Sequence, residues 1–191
     1  MREWSQQPPV LPFAVLDVET TGLSSDHDRV IEIAVVRCAP DGSFIDEWST
    51  FVDPGRDPGP THIHGISAAD LIGAPTFAEI AEELSERVEG AMIVAHNLSF
   101  DAGFLSTEYA RTPTPLPKQP ALCTLQLARH VLPDNGGYSL AACAAALAID
   151  HLNAHRALPD TRVTALVLEA MLHRLFPVSY THLTLPTKRI V

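Results

Sequence analysis

Most of what would set this chain apart from an ordinary globular protein is missing from it. Its three cysteines, Cys38, Cys123 and Cys143, are odd in number and have no CxxC spacing. That leaves neither a disulfide framework nor a zinc site, and predicts reduced thiols. The longest near-continuous apolar run, Leu140 to Ile149, is about half of what a membrane-spanning helix needs. The opening Met1-Arg-Glu-Trp-Ser-Gln-Gln-Pro-Pro holds no apolar segment of the kind that marks export, so a cytoplasmic place and no membrane partner are expected. No internal repeat is visible.

Positive charge is also scarce. Thirteen Lys+Arg stand against 23 Asp+Glu, a net charge of −10, the reverse of the usual nucleic-acid footprint. Broad, non-specific binding to a duplex through its phosphates is therefore excluded. A pocket of carboxylates that recruits divalent cations escapes the objection, because the metals bring the positive charge. What remains is 191 residues, 46% hydrophobic and 19% charged, which fits one globular domain with a substantial core.

The pattern along the chain is α/β. Phe13-Ala-Val-Leu-Asp-Val reads as a buried strand and Val30 to Cys38 as a second. Pro40-Asp-Gly is a turn signal, so Ser43 to Val52 should return as the third strand of a meander. Residues 53–60 form a loop. Thr76, with Glu79 three residues on, is a capping box, and Phe77, Ile80, Ala81, Leu84 and Val88 then share one helical face. Ala91 to Ala95 is a short strand, followed by a helix from about Phe100 to Ala110. The proline-rich stretch Thr112 to Pro120 is an exposed connector and the expected flexible loop. Helical patterns follow near 124–132, 139–147 and 159–176, the last with Val163, Leu166, Val167 and Ala170 in a stripe. Strands in meander followed by strand–helix alternation predict a mixed sheet covered by helices.

Residues 178–191 break this pattern. Val178-Ser-Tyr-Thr-His-Leu-Thr-Leu-Pro-Thr resembles one reading frame of the adapter used in transposase-based DNA sequencing. The tail is read as foreign to a domain spanning 1–177; a genuine extended tail is the alternative.

Three clusters carry chemistry. Asp17 and Glu19 lie two apart at the end of the first strand, which puts both carboxylates on one face. Two such anions favour a shared cation, although a bare D-x-E pair is most often a solvated strand end. The whole string Asp17-Val-Glu-Thr-Thr-Gly22 is far less common by chance. Gly22 also lets backbone approach a ligand. The second cluster is His96-Asn-Leu-Ser-Phe-Asp101, with Asp101 in a first helical turn where the dipole favours its anion; ordinary capping is the bland alternative. Phe100 and Phe104 read as core rather than as base-stacking groups. The third is His155-Arg-Ala-Leu-Pro-Asp160, with Asp160 at a helix start and His155 in the loop before it. A loop histidine has the freedom and near-neutral pKa of a general base. The same spacing links His96 to Asp101, but His96 follows a buried strand and reads as structural. Glu32, interrupting an apolar strand, reads as a hydrogen-bonded structural acid.

Taken in order, these motifs resemble the DEDDh family of 3′–5′ exonucleases, which includes the proofreading epsilon subunit of bacterial DNA polymerase III. The resemblance covers about residues 12 to 176. It implies a ribonuclease H-like, mixed five-stranded sheet flanked by helices. The implied catalytic set is Asp17, Glu19, Asp101, His155 and Asp160, of which the four acids hold two Mg²⁺ (or Mn²⁺). Thr20, Gly22, Leu23, His64 and Asn97 are the implied substrate-side residues. Leu23 resembles the family's wedge beside the terminal base, with a core leucine as the alternative; His64 and Asn97 have loop positioning as theirs. Pro159 is not expected before the last acid of this pattern. The implied activity is removal of nucleoside 5′-monophosphates from single-stranded or frayed DNA 3′ ends, in proofreading or repair, with a DNA polymerase subunit as a possible partner. An exoribonuclease with the same residues is the nearest alternative, and a catalytically silent binding module a more distant one.

Overall fold

In the computed structural model, residues 11–133, 135–151 and 155–176 are described. The 178–191 tail lies outside them. Five strands form one sheet in the order β3-β2-β1-β4-β5. They are β1 (Phe13–Thr20), β2 (Val30–Cys38), β3 (Phe44–Phe51), β4 (Met92–Ala95) and β5 (Ala121–Cys123). β1, β2 and β3 make the expected antiparallel meander, and β4 and β5 add in parallel to β1. The helices are α1 (Thr61–His64), α2 (Phe77–Val88), α3 (Leu98–Ala110), α4 (Thr124–Val131), α5 (Leu140–Ala146) and α6 (Ala157–Leu175). None is long and apolar enough to cross a membrane among the described residues. All three cysteines are free thiols.

The period of two along β1 divides the core. Ala14, Leu16 and Val18 face α2 and α3, where Phe77, Leu84, Phe104 and Tyr109 close over them. Phe13 and Val15 face the other way, onto Ala165, Leu168 and Leu172 of α6. Glu79 accepts from the N–H and hydroxyl of Thr76 at 2.7 and 2.8 Å, as the capping box predicts.

Some details differ from the sequence reading. β5 is an extra strand of three residues, paired from Ala121 to Cys123 with Ile93 to Ala95. α3 starts at Leu98 because Asn97, at φ 65°, turns the chain two residues earlier than the pattern suggests. Leu166 is not core. α6 is held on two sides, by the sheet through Ala165, Leu168 and Leu172 and by α4 and α5 through Val163, Val167 and Met171. Its buried stripe is therefore rotated, and Leu166 is left 47% exposed.

An ion pair with a buried carboxylate ties the antiparallel half of the sheet to the helices. The Glu108 carboxylate on α3 accepts from Arg29 Nε and Nη2 at 2.7 and 2.9 Å, and from the Val30 N–H at 3.2 Å.

Candidate active site

Asp17 and Glu19 continue the Phe13/Val15 face of β1, so both point toward α6. Asp160 stands in the first turn of α6. One carboxylate oxygen from each of the three lies within 4.8 Å of the others. Asp101 arrives from a different direction. β1 pairs with β4 only from Phe13 to Val15, yet continues against β2 as far as Thr20. Beyond Val15 one edge of β1 is left open, and the first turn of α3, which holds Asp101, follows directly on β4. Asp101 is buried, and its charge acts on Asp17 more strongly than that of any other acid.

Electrostatics mark this cluster as incomplete on its own. Burial first, and then Asp101, Glu19, Asp160 and Glu32 in that order, push the Asp17 carboxyl well above the usual range. Burial, followed by the charges of Asp160 and Glu32, raises Glu19 to about 7, with only Arg156 opposing. Asp101 is also raised, mainly by burial, although backbone hydrogen bonding to its own N–H and that of Val18 pulls the other way. The guanidinium of Arg156 cannot neutralise the cluster, since Glu32 engages it. Arg156 Nε and Nη2 donate to Glu32 at 3.1 and 2.9 Å, and the Ala157 N–H donates to the same carboxylate at 2.9 Å. Glu32 sits opposite Glu19 in the β1–β2 register. It fixes the first residue of α6 against the sheet and thereby sets the position of Asp160. An all-oxygen set of closely spaced acids without a neutralising side chain suits a hard divalent cation such as Mg²⁺ or Mn²⁺.

A third histidine joins the two that the spacing picks out. His155 lies in the loop before α6 as expected, in the left-handed region at φ 66°. Its side chain is exposed, and its backbone N–H donates to Asp160 Oδ2 at 3.1 Å. The imidazole that touches Asp160 belongs to His151, whose Nε2 is 2.7 Å from Oδ1. Sequence reasoning missed His151, because nine residues separate it from Asp160 and no motif spacing marks it. His96 has both ring nitrogens engaged, by Thr124 Oγ1 at 3.0 Å and the Tyr138 carbonyl at 2.9 Å. It is a structural link between β4, α4 and the loop before α5.

The Thr20-Thr-Gly22 turn is stitched internally. Thr20 Oγ1 donates to the Gly22 carbonyl at 2.6 Å. Thr21 Oγ1 donates to Asp28 at 3.2 Å and accepts from the Arg29 N–H at 3.1 Å. A Cβ on Gly22 would lie 2.4 Å from Asp28 Oδ2, so the space left by its missing side chain holds the Asp28 carboxylate. Leu23, held out by this turn, is 87% exposed, which excludes the core reading. It borders a recess of about 280 Å³ shared with Ser25, Asn97 and Phe100. Phe104 is core, and Phe100 packs partly against it. Asn97 bends the chain into α3. His64 is buried, with Nδ1 accepting from the Ile66 N–H at 3.0 Å.

The sequence and the fold are similar to those of known proteins. The family model for the RNase_T exonucleases matches residues 14–168. PolC-type DNA polymerase III of Pediococcus pentosaceus is 37% identical over 154 residues, covering 80% of this chain, and that of Clostridium perfringens is 38% identical over 159 residues, covering 82%. The chain spans only 11% of the length of each polymerase. Among solved structures, exonuclease X in complex with 5′-overhanging duplex DNA superposes with a TM-score of 0.66 at 29% identity, covering 84% of this chain and 91% of that one. Escherichia coli exonuclease I with a dT13 oligonucleotide gives 0.74 at 21% identity over 86% of this chain and 41% of that one, a likeness of fold. With the family model spanning most of the sheet and helices, and the PolC-type relatives above a third identical over the same stretch, the chain belongs to the RNase_T exonuclease family.

Proposed function

We propose that this chain is a 3′–5′ exonuclease that shortens single-stranded or frayed DNA from its 3′ end in proofreading or repair. The observation that carries the reading is the convergence of Asp17, Glu19 and Asp160 within 4.8 Å, beside the buried Asp101. These four acids would hold two Mg²⁺ or Mn²⁺ ions. When bound, such ions supply charge stabilisation at the scissile phosphate and lower the pKa of a coordinated water. The chain's own residues do the rest. His155, exposed on a loop fastened to Asp160 through its backbone N–H, accepts the proton of the attacking water. Glu32 and Arg156 keep the start of α6 in register with β1. Leu23 stands as the apolar wedge against the terminal base, with Thr20, Gly22, His64 and Asn97 shaping the loops around it. The working unit is 1–177 and its place is cytoplasmic.

DNA rather than RNA is favoured by the relatives, which are DNA polymerases, and by the DNA complex of exonuclease X. The same relatives support a DNA polymerase subunit as the proposed partner. The test uses matched 5′-labelled single-stranded DNA and RNA oligomers with and without Mg²⁺, with Asp17→Ala and His155→Ala alongside. A metal-dependent ladder shortening DNA from its 3′ end, lost in both variants, is expected. Faster loss of the RNA would move the assignment to an exoribonuclease. No cleavage of either by a folded protein that binds Mg²⁺ would mean that a partner is required or that the fold serves as a binding module.

A further inference from the structure

Both oxygens of Asp160 are held by the loop that precedes α6. The His155 N–H reaches Oδ2 at 3.1 Å and His151 Nε2 reaches Oδ1 at 2.7 Å. A carboxylate only accepts, so His151 carries a proton on Nε2 and donates it. The contact is sheltered: the side chains of His151 and Asp160 are 12% and 14% exposed. His151 is not one of the residues whose ligand atoms converge with those of Asp17 and Glu19. Its ring touches Asp160 without joining that cluster.

We propose that His151 is a positioning residue for the metal centre, orienting the Asp160 carboxylate toward Asp17 and Glu19. This rests on the metal-dependent reading above. The physical need is clear from the charges. Three carboxylates whose oxygens lie within 4.8 Å repel one another, and Asp160, on a helix end, can relieve the repulsion by changing rotamer. Two donors, one on each oxygen, oppose it. The arrangement also separates the two loop histidines, since the ring of His151 is engaged with Asp160 while that of His155 is exposed.

Carboxylates that ligate metals are commonly held by such outer partners, and losing one weakens binding roughly 10- to 100-fold. The test is Mn²⁺ titration of the full chain at fixed pH, followed by electron paramagnetic resonance, for the parent, His151→Ala, His151→Gln and Asp160→Asn. Thermal melts of each report folding. His151→Ala should raise the Mn²⁺ dissociation constant about tenfold. His151→Gln, whose amide restores a donor, should bring it back to within about threefold of the parent. An unchanged constant in His151→Ala, or equal losses in Ala and Gln variants, would overturn the positioning role while leaving the metal reading intact. A parent that fails to bind Mn²⁺, or binds it equally well with Asn at 160, would overturn the metal reading and this role with it.

Discussion

Replacing Glu19 by Gln should stabilise the metal-free protein at neutral pH, although it removes a proposed catalytic acid. Burial and the charges of Asp160 and Glu32 raise Glu19 from 4.5 to about 7. In the unfolded chain the group ionises near 4.5, whereas in the fold it keeps its proton to about 7. Between these values the native state binds more protons than the unfolded state, so stability falls as pH rises. The displacement corresponds to about 3 kcal/mol once the group is ionised in both states. Glutamine has no charge to bury and escapes the loss. Urea unfolding in EDTA at pH 4.5, 6 and 7.5 measures it. Parent and Glu19→Gln should be nearly equal at pH 4.5, with the variant ahead by about 3 kcal/mol at pH 7.5. Saturating Mg²⁺ should cancel or reverse the gap, because the ion binds the native anions and not the unfolded chain. If the two proteins run parallel across the whole range in EDTA, the crowding of acids described here is not felt in solution.

Three further outcomes follow from individual contacts. Glu108→Ala strips Arg29 and the Val30 N–H of a buried acceptor and should cost roughly 3 kcal/mol in urea unfolding; a loss below about 1 kcal/mol would contradict the ion pair's role. Gly59→Ala places a Cβ 2.1 Å from the Thr21 carbonyl at φ +83° and should destabilise by roughly 3 kcal/mol or more, whereas Gly55→Ala, at φ +65° with nothing within 4 Å, should cost only about 1 kcal/mol. Thermal melts of the pair separate collision from backbone strain. Leu23→Ala, at a side chain 87% exposed, should leave stability within about 0.5 kcal/mol and raise KM for a single-stranded oligomer about fivefold. An unchanged KM would remove Leu23 from the substrate side.

What could be read in the sequence was whatever a local period or a short motif encodes. The alternation through Asp17 and Glu19 placed both acids on one face of β1, and Pro159 marked the helix start that carries Asp160. The capping box at Thr76 and the apolar face from Phe77 to Val88 are likewise local. Features decided by packing from two directions were not readable. The stripe of α6 turned because the helix meets both the sheet and α4 and α5, which left Leu166 in solvent. β5 has three residues, too few for a period, and exists because β4 offers it an edge. His151 meets Asp160 from nine positions away, and Arg156 meets Glu32 across more than a hundred residues. Neither contact leaves a trace in spacing.

Asp17 and Glu19 lie on the first strand, while Asp160 opens the last helix and takes its place only when Arg156 and Ala157 reach Glu32. During synthesis from the amino terminus, every growing chain that has not yet delivered residue 160 lacks part of the acid cluster. A fragment that ends before α6 contains the meander, α2 and α3, yet not all of the acids that converge in the finished fold. Under the proposed function, the order in which the elements are made delays the chemistry until the sheet has received α6.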